Sequence, residues 1–271
     1  MNTFSSSRKP RILITNDDGF SAPGIRVLWE ELCDWADVTI VAPAHDQSST
    51  SLSLSIRNVL QPRYYEWDGR PVWSVDGTPA DCVKLGLADL LREPPDLVAS
   101  GINKGSNAGR NVLYSGTVGG AIEAALRGIP GVAYSAMCHI NPDFEICRPY
   151  IRKIAEYALS HPLPAGTIWN ANFPAEAEGG ACKIRLARQG RQLWRESPHK
   201  RPVPDTNQHY YWMGGVLTDC QEGENSDVHY LRQGFATLAP IHIDDLTHHE
   251  ELQKRQEHFS QLFPDPGAGH A

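Results

Sequence analysis

Arg11-Ile-Leu-Ile-Thr-Asn-Asp-Asp-Gly-Phe20 reads as a short buried strand, Ile12 to Thr15, that runs into a cluster of acidic and turn-forming residues. Four consecutive apolar or β-branched residues bounded by a turn signal suit a strand covered on both faces. The adjacent carboxylates of Asp17 and Asp18 repel one another unless a cation or hydrogen bonds compensate them. At the end of a first strand they would face the crevice in which open α/β sheets bind ligands. Hard oxygen donors in that position suit Mg²⁺, Mn²⁺ or Ca²⁺. The plainer reading is a turn before a helix, since Asn, Asp and Gly are ordinary turn residues.

Outward from this segment, strand and helix patterns alternate. Ile25, Leu28, Trp29 and Leu32 have helical spacing behind Pro23, and Asp37 to Ala42 is a second apolar strand. A Ser/Thr-rich loop, His45 to Ser51, leads to alternating segments at 52–60 and 71–76 that predict a β-hairpin. Thr78-Pro79-Ala80-Asp81 is a helix start with Thr as cap, and that helix is expected to run to about Arg92. Strands follow at 96–100, 131–135 and 167–171, and helices from about Thr117 and over 145–160. The pattern predicts an α/β fold, a Rossmann-like doubly wound sheet of mostly parallel strands.

The domain reading has a disordered arm over 1–9, a catalytic core over 10–175, a β-rich arm over 176–245 and a C-terminal helix and tail over 246–271. In the arm, β-like runs at 182–188, 208–217 and 235–241 lie between polar, Pro-rich loops. An amphipathic helix is expected over 247–263, with His248 and His249 exposed on it. With little core of its own, such an arm needs a partner to bury its apolar residues. Trp194, Tyr210, Tyr211 and Trp212 are candidates for stacking on a base, or for packing within the arm or against another subunit.

Composition narrows the function. The 271 residues carry a net charge of −7, which argues against a protein that wraps a nucleic acid polymer. Six cysteines are scattered without a CxxC pair, so buried reduced thiols are expected rather than disulfides or zinc. No apolar run reaches the length of a signal-peptide core or a bilayer span, and a cytoplasmic protein without membrane contact is expected. There is no GxSxG elbow, Walker A loop or GxGxxG after a strand, so serine hydrolase, P-loop and dinucleotide readings lack their motifs.

Three loops that follow core strands share one chemistry. Asn16-Asp17-Asp18-Gly19, His45 to Ser51 and Gly101 to Ser115 all offer oxygen ligands or backbone N–H groups with little bulk. Asp17, Asp18, a serine of the second loop and Asn103 make a ligand set for one divalent cation. Tyr114-Ser-Gly-Thr-Val-Gly-Gly120 opens a helix, and a helix start is a ready anion site. There Gly116 would let a ligand approach the backbone, while Ser115 and Thr117 add hydroxyl donors. Each loop alone has a plain structural explanation. Their coincidence predicts phosphate chemistry, with a cation that polarises the phosphoryl oxygen and acidifies water.

Together, Thr15-Asn-Asp-Asp-Gly19 with Ala22-Pro-Gly24, Val41-Ala-Pro43 with Ser48, Gly77-Thr-Pro-Ala-Asp-Cys82, Ser100-Gly-Ile-Asn-Lys-Gly105 with Asn107, and Tyr114-Ser-Gly-Thr-Val118 resemble the SurE family of stationary-phase survival proteins. The resemblance is close over about residues 10–135. It extends more loosely to Asn172-Phe-Pro174, Ser226-Asp227 and Gly234 to Pro240. It implies a metal-dependent phosphatase for nucleoside 5′-monophosphates, often 3′-monophosphates and in some members polyphosphate. It also implies a homodimer or homotetramer that exchanges its C-terminal portion. The metal ligands it implies are Asp17, Asp18, Ser48 and Asn103, with Mg²⁺ or Mn²⁺ as the cation. Asn107 and Ser115 are implied in phosphate handling and activity. Departures from the family pattern are Ala44 and Gln47, where an acid and an Arg are common, Ser49 in place of Gly or Ala, and Gly119-Gly120 where Ala is common. The expected activity is that of a 5′-nucleotidase in which activated water attacks phosphorus, with an Asp17 aspartyl-phosphate as the rival route. A non-catalytic nucleotide or metal sensor on the same fold is the alternative.

Overall fold

A computed structural model of the protein describes residues 8–176, 183–218 and 221–263. Its first strand, β1 (Arg11–Thr15), lies inside the sheet, and its alternating side chains serve two cores. Ile12 and Ile14 pack with Ile25, Leu28 and Leu32, whereas Leu13 packs with Val41, Val83 and Val98 on the opposite face. Burial of each such side chain contributes roughly 1.5–3 kcal/mol. A strand covered on both faces needs a near-continuous apolar run, as this segment has.

The sheet has nine strands in the order β3-β4-β2-β1-β5-β6-β7-β11-β8. β2 (Asp37–Pro43), β5 (Leu97–Lys104), β6 (Gly131–Ala136) and β7 (Thr167–Phe173) run parallel to β1. The chain winds outward through β2 on one side of β1 and through β5, β6 and β7 on the other, so the order reverses between β1 and β5. Helices α1 (Pro23–Leu32) and α4 (Arg148–Ser160) cover one face of the sheet. Helices α2 (Pro79–Leu85) and α3 (Gly116–Ala125) cover the other. The Thr78 hydroxyl caps α2, as the sequence predicts, and the Asp81 carboxylate accepts the Thr78 N–H in return. A π-helical turn, Gly86–Leu90, then ends this helix short of Arg92.

The hairpin differs from expectation. It pairs β3 (Pro62–Trp67) with β4 (Arg70–Val75), not 52–60 with 71–76. Asp68 and Gly69, at φ of 47° and 73°, form the two-residue turn that sets this register. Residues 52–60 are held elsewhere: Ser53 O accepts the Thr78 hydroxyl at 2.7 Å, and Ser55 N–H donates to Asp81 at 3.1 Å. These bonds fasten the segment to the start of α2 and keep it out of the sheet.

The expected arm over 176–245 is not one unit. β8 (Ile184–Leu186) and β11 (Ala236–His242) complete the main sheet, with β11 antiparallel to β7. Only β9 (Trp194–Pro202) and β10 (His209–Leu217) stand apart, as a two-stranded antiparallel ribbon. β9 carries Arg195, Glu196, His199, Lys200 and Arg201 without alternation, so its pairing with β10 makes it a strand where its own pattern gives no signal. A short helix, α5 (Asp227–Arg232), is also absent from the sequence reading. α6 (His249–Leu262) forms as predicted, yet it buries none of its residues. Of the predicted disordered arm over 1–9, residues 1–7 lie outside the described residues. Arg8 and Lys9 are anchored, Arg8 to Asp96 at 2.7 Å and Lys9 Nζ to the Asp34 carbonyl at 2.7 Å. The tail from 264 onward also lies outside the described residues. Among the described residues no helix is long and apolar enough to cross a membrane, and Cys33, Cys82 and Cys138 are free thiols.

Candidate active site

Because β2, β1 and β5 are neighbours and parallel, the loops that follow them emerge side by side at the point where strand order reverses. Backbone bonds join them. Gln47 N–H donates to Asp17 O at 2.7 Å, Phe20 N–H to Pro43 O at 2.8 Å, and Ser51 N–H to Tyr114 O at 3.1 Å. The three loops singled out in the sequence therefore form one surface.

Asp17 is 3% exposed. The Thr117 hydroxyl donates a short hydrogen bond to its Oδ1. Burial pushes the Asp17 carboxyl up to about 6; the Thr117 hydroxyl opposes that rise and the Asp18 charge adds to it. Asp18 accepts Lys104 N–H at 3.1 Å on Oδ2, and its Oδ1 lies 3.1 Å from Lys104 Nζ. Lys104 Nζ also reaches Asp46 Oδ2 at 3.0 Å, so one ammonium spans carboxylates from two loops. Both partners hold the Lys104 ammonium above its ordinary range. Burial raises Asp46, but the Ser48 hydroxyl and Lys104 outweigh it and leave Asp46 below the usual carboxylate range. Ser48 donates both its hydroxyl and its backbone N–H to Asp46. The Asn103 amide nitrogen is taken by Gly105 O at 2.8 Å.

Ser115 caps α3, accepting Val118 N–H at 3.1 Å. The expected roles of Gly116 and Thr117 change in the folded chain. Thr117 is fully buried and holds Asp17. A Cβ at Gly116 would lie 2.8 Å from Asp17 Cβ and 2.9 Å from Thr50 Oγ1, so this glycine lets the helix start close against the first and second loops. Its neighbour Gly119 does the same for the turn at Ser51, whose carbonyl a Cβ there would overlap. That close approach accounts for a glycine where the family pattern has alanine.

Asn107 is fastened on every side. Its N–H donates to Asn172 Oδ1 at 2.8 Å and its amide Nδ2 to Ser135 Oγ at 2.8 Å, while its carbonyl accepts Asn170 Nδ2 at 3.0 Å. Two residues on, Gly109 N–H donates to Asp227 Oδ2 at 3.1 Å. Asp227 also accepts Gly190 N–H at 2.8 Å and Val228 N–H at 2.7 Å, so it ties the third loop to α5 and to the segment before β9. Burial pushes its carboxyl up to about 6, against those three N–H donors.

Asp17, Ser48, Asn103, Asn107 and Ser115 line one cavity of about 1010 Å³, whereas Asp18, Gly116 and Thr117 do not reach its wall. A divalent cation fits the chemistry of this donor set. The buried Asn16 Oδ1 accepts no hydrogen bond, and the notch between Asp18 and Asp46 already holds a cationic group, the Lys104 ammonium. The candidate donors, the Asp17 and Asp18 carboxylates with the neutral oxygens of Ser48 and Asn103, are of the kind that suits a hard cation. Lys104, Asp46, Ser135 and Asn170 were not legible as site residues. Ser135 and Asn170 are brought here by the packing of β6 and β7, whereas Asp46 and Lys104 sit in loops already singled out for their oxygen donors.

A doubly wound α/β sheet with an oxygen-lined cavity and a capped helix start at its switch point defines a class of phosphate-handling proteins. Within that class the comparisons are specific. Residues 12–196 match the family model for survival protein SurE. The 5′-nucleotidase SurE of Protochlamydia amoebophila is 47% identical over 252 residues, 92% of this chain and 97% of that protein. The 5′-nucleotidase SurE of Flavobacterium psychrophilum is 39% identical over 244 residues, covering 89% and 95%. The crystal structure of the SurE protein from Aquifex aeolicus superposes with a TM-score of 0.78 at 34% identity, covering 93% of this chain and 99% of that one. The chain belongs to the SurE family.

Proposed function

We propose that this protein is a divalent-metal-dependent phosphomonoesterase, a 5′-nucleotidase that converts nucleoside 5′-monophosphates to nucleoside and phosphate. The observation that carries this reading is the meeting of Asp17, Ser48 and Asn103 with the Ser115 cap of α3 in one cavity. The names of its relatives support the same activity. Asp17, Asp18, Ser48 and Asn103 would hold one Mg²⁺ or Mn²⁺. A divalent cation bound there supplies Lewis acidity to the phosphoryl oxygen and acidifies water.

The remaining work falls to the chain. The Ser115 hydroxyl, at the positive start of α3, faces the cavity and would hold a phosphate oxygen as charge builds on it. The Asn107 amide, locked by Ser135 and Asn172, adds a fixed dipole. Thr117 holds the Asp17 carboxylate in one orientation. Water is the proposed nucleophile. Trapping of a phosphoenzyme on Asp17 would replace it with the aspartyl route. The proposed setting is the cytoplasm, in keeping with the free thiols. A homodimer or homotetramer is proposed through the β9–β10 ribbon, where Tyr211, Trp212 and Met213 are 56%, 69% and 67% exposed.

The test is phosphate release from a panel of nucleoside 5′- and 3′-monophosphates, an aryl phosphate and polyphosphate, with Mn²⁺, Mg²⁺ or EDTA. Metal-dependent release from 5′-monophosphates is expected. Folded protein that binds nucleotide and releases no phosphate with either metal would instead be a sensor.

A further inference from the structure

The cavity around Asp17 is larger than a phosphate and a cation need. At about 1010 Å³ it has the capacity of a site for a whole small molecule. Its walls also change in character. Polar groups such as Ser48, Asn103 and Ser115 line it with Asp17, and Tyr114, Met137, Trp194, Leu217 and Leu231 add aromatic and apolar surface to the same cavity. Trp194, the first residue of β9, is 40% exposed there, and Tyr114 is 56% exposed.

Trp194 is held in place from several directions. Its N–H donates to Asn111 Oδ1 at 3.2 Å. The residues just before it are bonded to the third loop and to the end of β10: Arg110 N–H donates to Gln192 O at 2.7 Å, and Thr218 N–H to Leu193 O at 2.9 Å. Across the ribbon, any Cβ at Gly215 would overlap the indole nitrogen, so this glycine lets the ring lie against β10. The result is a rigid aromatic surface fixed to the same loop that ends in the Ser115 cap.

We propose that Trp194, with Tyr114, forms a nucleoside subsite in which the base of the substrate stacks on the indole while its phosphate lies at Ser115 and Asn107. This inference rests on the nucleotidase reading for the identity of the occupant. Stacking uses the π-face that every base presents, so the subsite accepts all bases and favours the larger purine rings.

The experiment compares wild type, Trp194→Ala and Trp194→Phe on AMP and on ribose 5-phosphate, which keeps the sugar and phosphate and lacks the base. In parallel, adenosine is titrated calorimetrically into wild type and Trp194→Ala in EDTA. The expected result is a loss in kcat/KM on AMP that exceeds the loss on ribose 5-phosphate by about 10-fold or more in Trp194→Ala, carried mainly by KM. Trp194→Phe should recover most of it, and adenosine binding should weaken in step. Equal losses on the two substrates would mean a purely structural role and overturn the subsite, as would adenosine binding that Trp194→Ala leaves intact. If wild type hydrolyses neither substrate, the titration decides. Adenosine binding lost in Trp194→Ala keeps the subsite while the nucleotidase reading falls, and no adenosine binding by wild type ends both.

Discussion

Asp17 carries the clearest conflict between stability and chemistry. It is buried, and its carboxyl is raised to about 6 by that burial. A folded-state value above the ordinary carboxylate value means the proton stabilises the fold below that ordinary value, and the contribution is lost as pH rises through about 6. Asp17→Asn removes the charge and keeps the shape. In EDTA at pH 8 the variant is expected to melt at or above the wild-type temperature, while phosphate release with metal falls by about 100-fold or more. Wild-type turnover in this variant would remove Asp17 from the mechanism. Asp227 gives a second prediction with the same sign. Its carboxyl, also at about 6 through burial, holds a proton in the folded chain that the unfolded chain has released. Stability should therefore decline between about pH 4 and 6, by up to roughly 3 kcal/mol at the limit. Asp227→Asn should flatten that decline in urea titrations, although it weakens the fold by losing an acceptor for the loop N–H groups.

Among the elements, α3 and β7 do most to shape the site. Gly119 lets the turn at Ser51 lie against α3, and a methyl group there has to move that turn or the helix. Gly119→Ala is expected to cost about 1–3 kcal/mol in denaturant unfolding and to lower metal affinity by displacing the Ser48 loop, which calorimetry would read. Unchanged values for both would show that the turn yields freely. On β7, Asn172 Oδ1 accepts Asn107 N–H and the Ser106 hydroxyl from inside the sheet. Asn172→Ala leaves those donors buried without an acceptor, a cost of about 1–3 kcal/mol. It should lower kcat more than KM, because it loosens the group that meets the transition state. A change confined to KM would assign Asn172 to substrate binding alone.

At the scale of the molecule, the nine-stranded sheet holds the site rigidly while the β9–β10 ribbon and α6 turn apolar side chains to solvent. Leu252, Phe259 and Leu262 on α6 are 57%, 61% and 61% exposed, beyond what an isolated protomer of this size normally leaves uncovered as a stripe. Replacement of Tyr211, Trp212 and Met213 by serine is expected to lower the mass measured by light scattering after size exclusion. A wild-type chain that elutes as a strict monomer would overturn the assembly. The ribbon also supplies Trp194 to the cavity, so the proposed assembly and the proposed base subsite would share one element.

Local chemistry was readable without coordinates. The Ile12–Ile14 run, the Thr78-Pro79 cap and the alternation of apolar segments specified a doubly wound sheet, because strand burial and helix capping depend on near neighbours in the chain. Asp17, Asp18, Asn103 and a serine of the second loop were likewise marked by loop chemistry at strand ends, and the family resemblance singled out Ser48. Long-range contact decided the rest. The Asp68-Gly69 turn moved the hairpin away from 52–60, and β11, which begins at Ala236, joined the sheet beside β7, which ends at Phe173. Thr117 turned from the cavity to Asp17, and Lys104 bridged Asp18 and Asp46. Such contacts depend on which strands become neighbours, and strand order is a property of the packed sheet that no local pattern in the chain encodes.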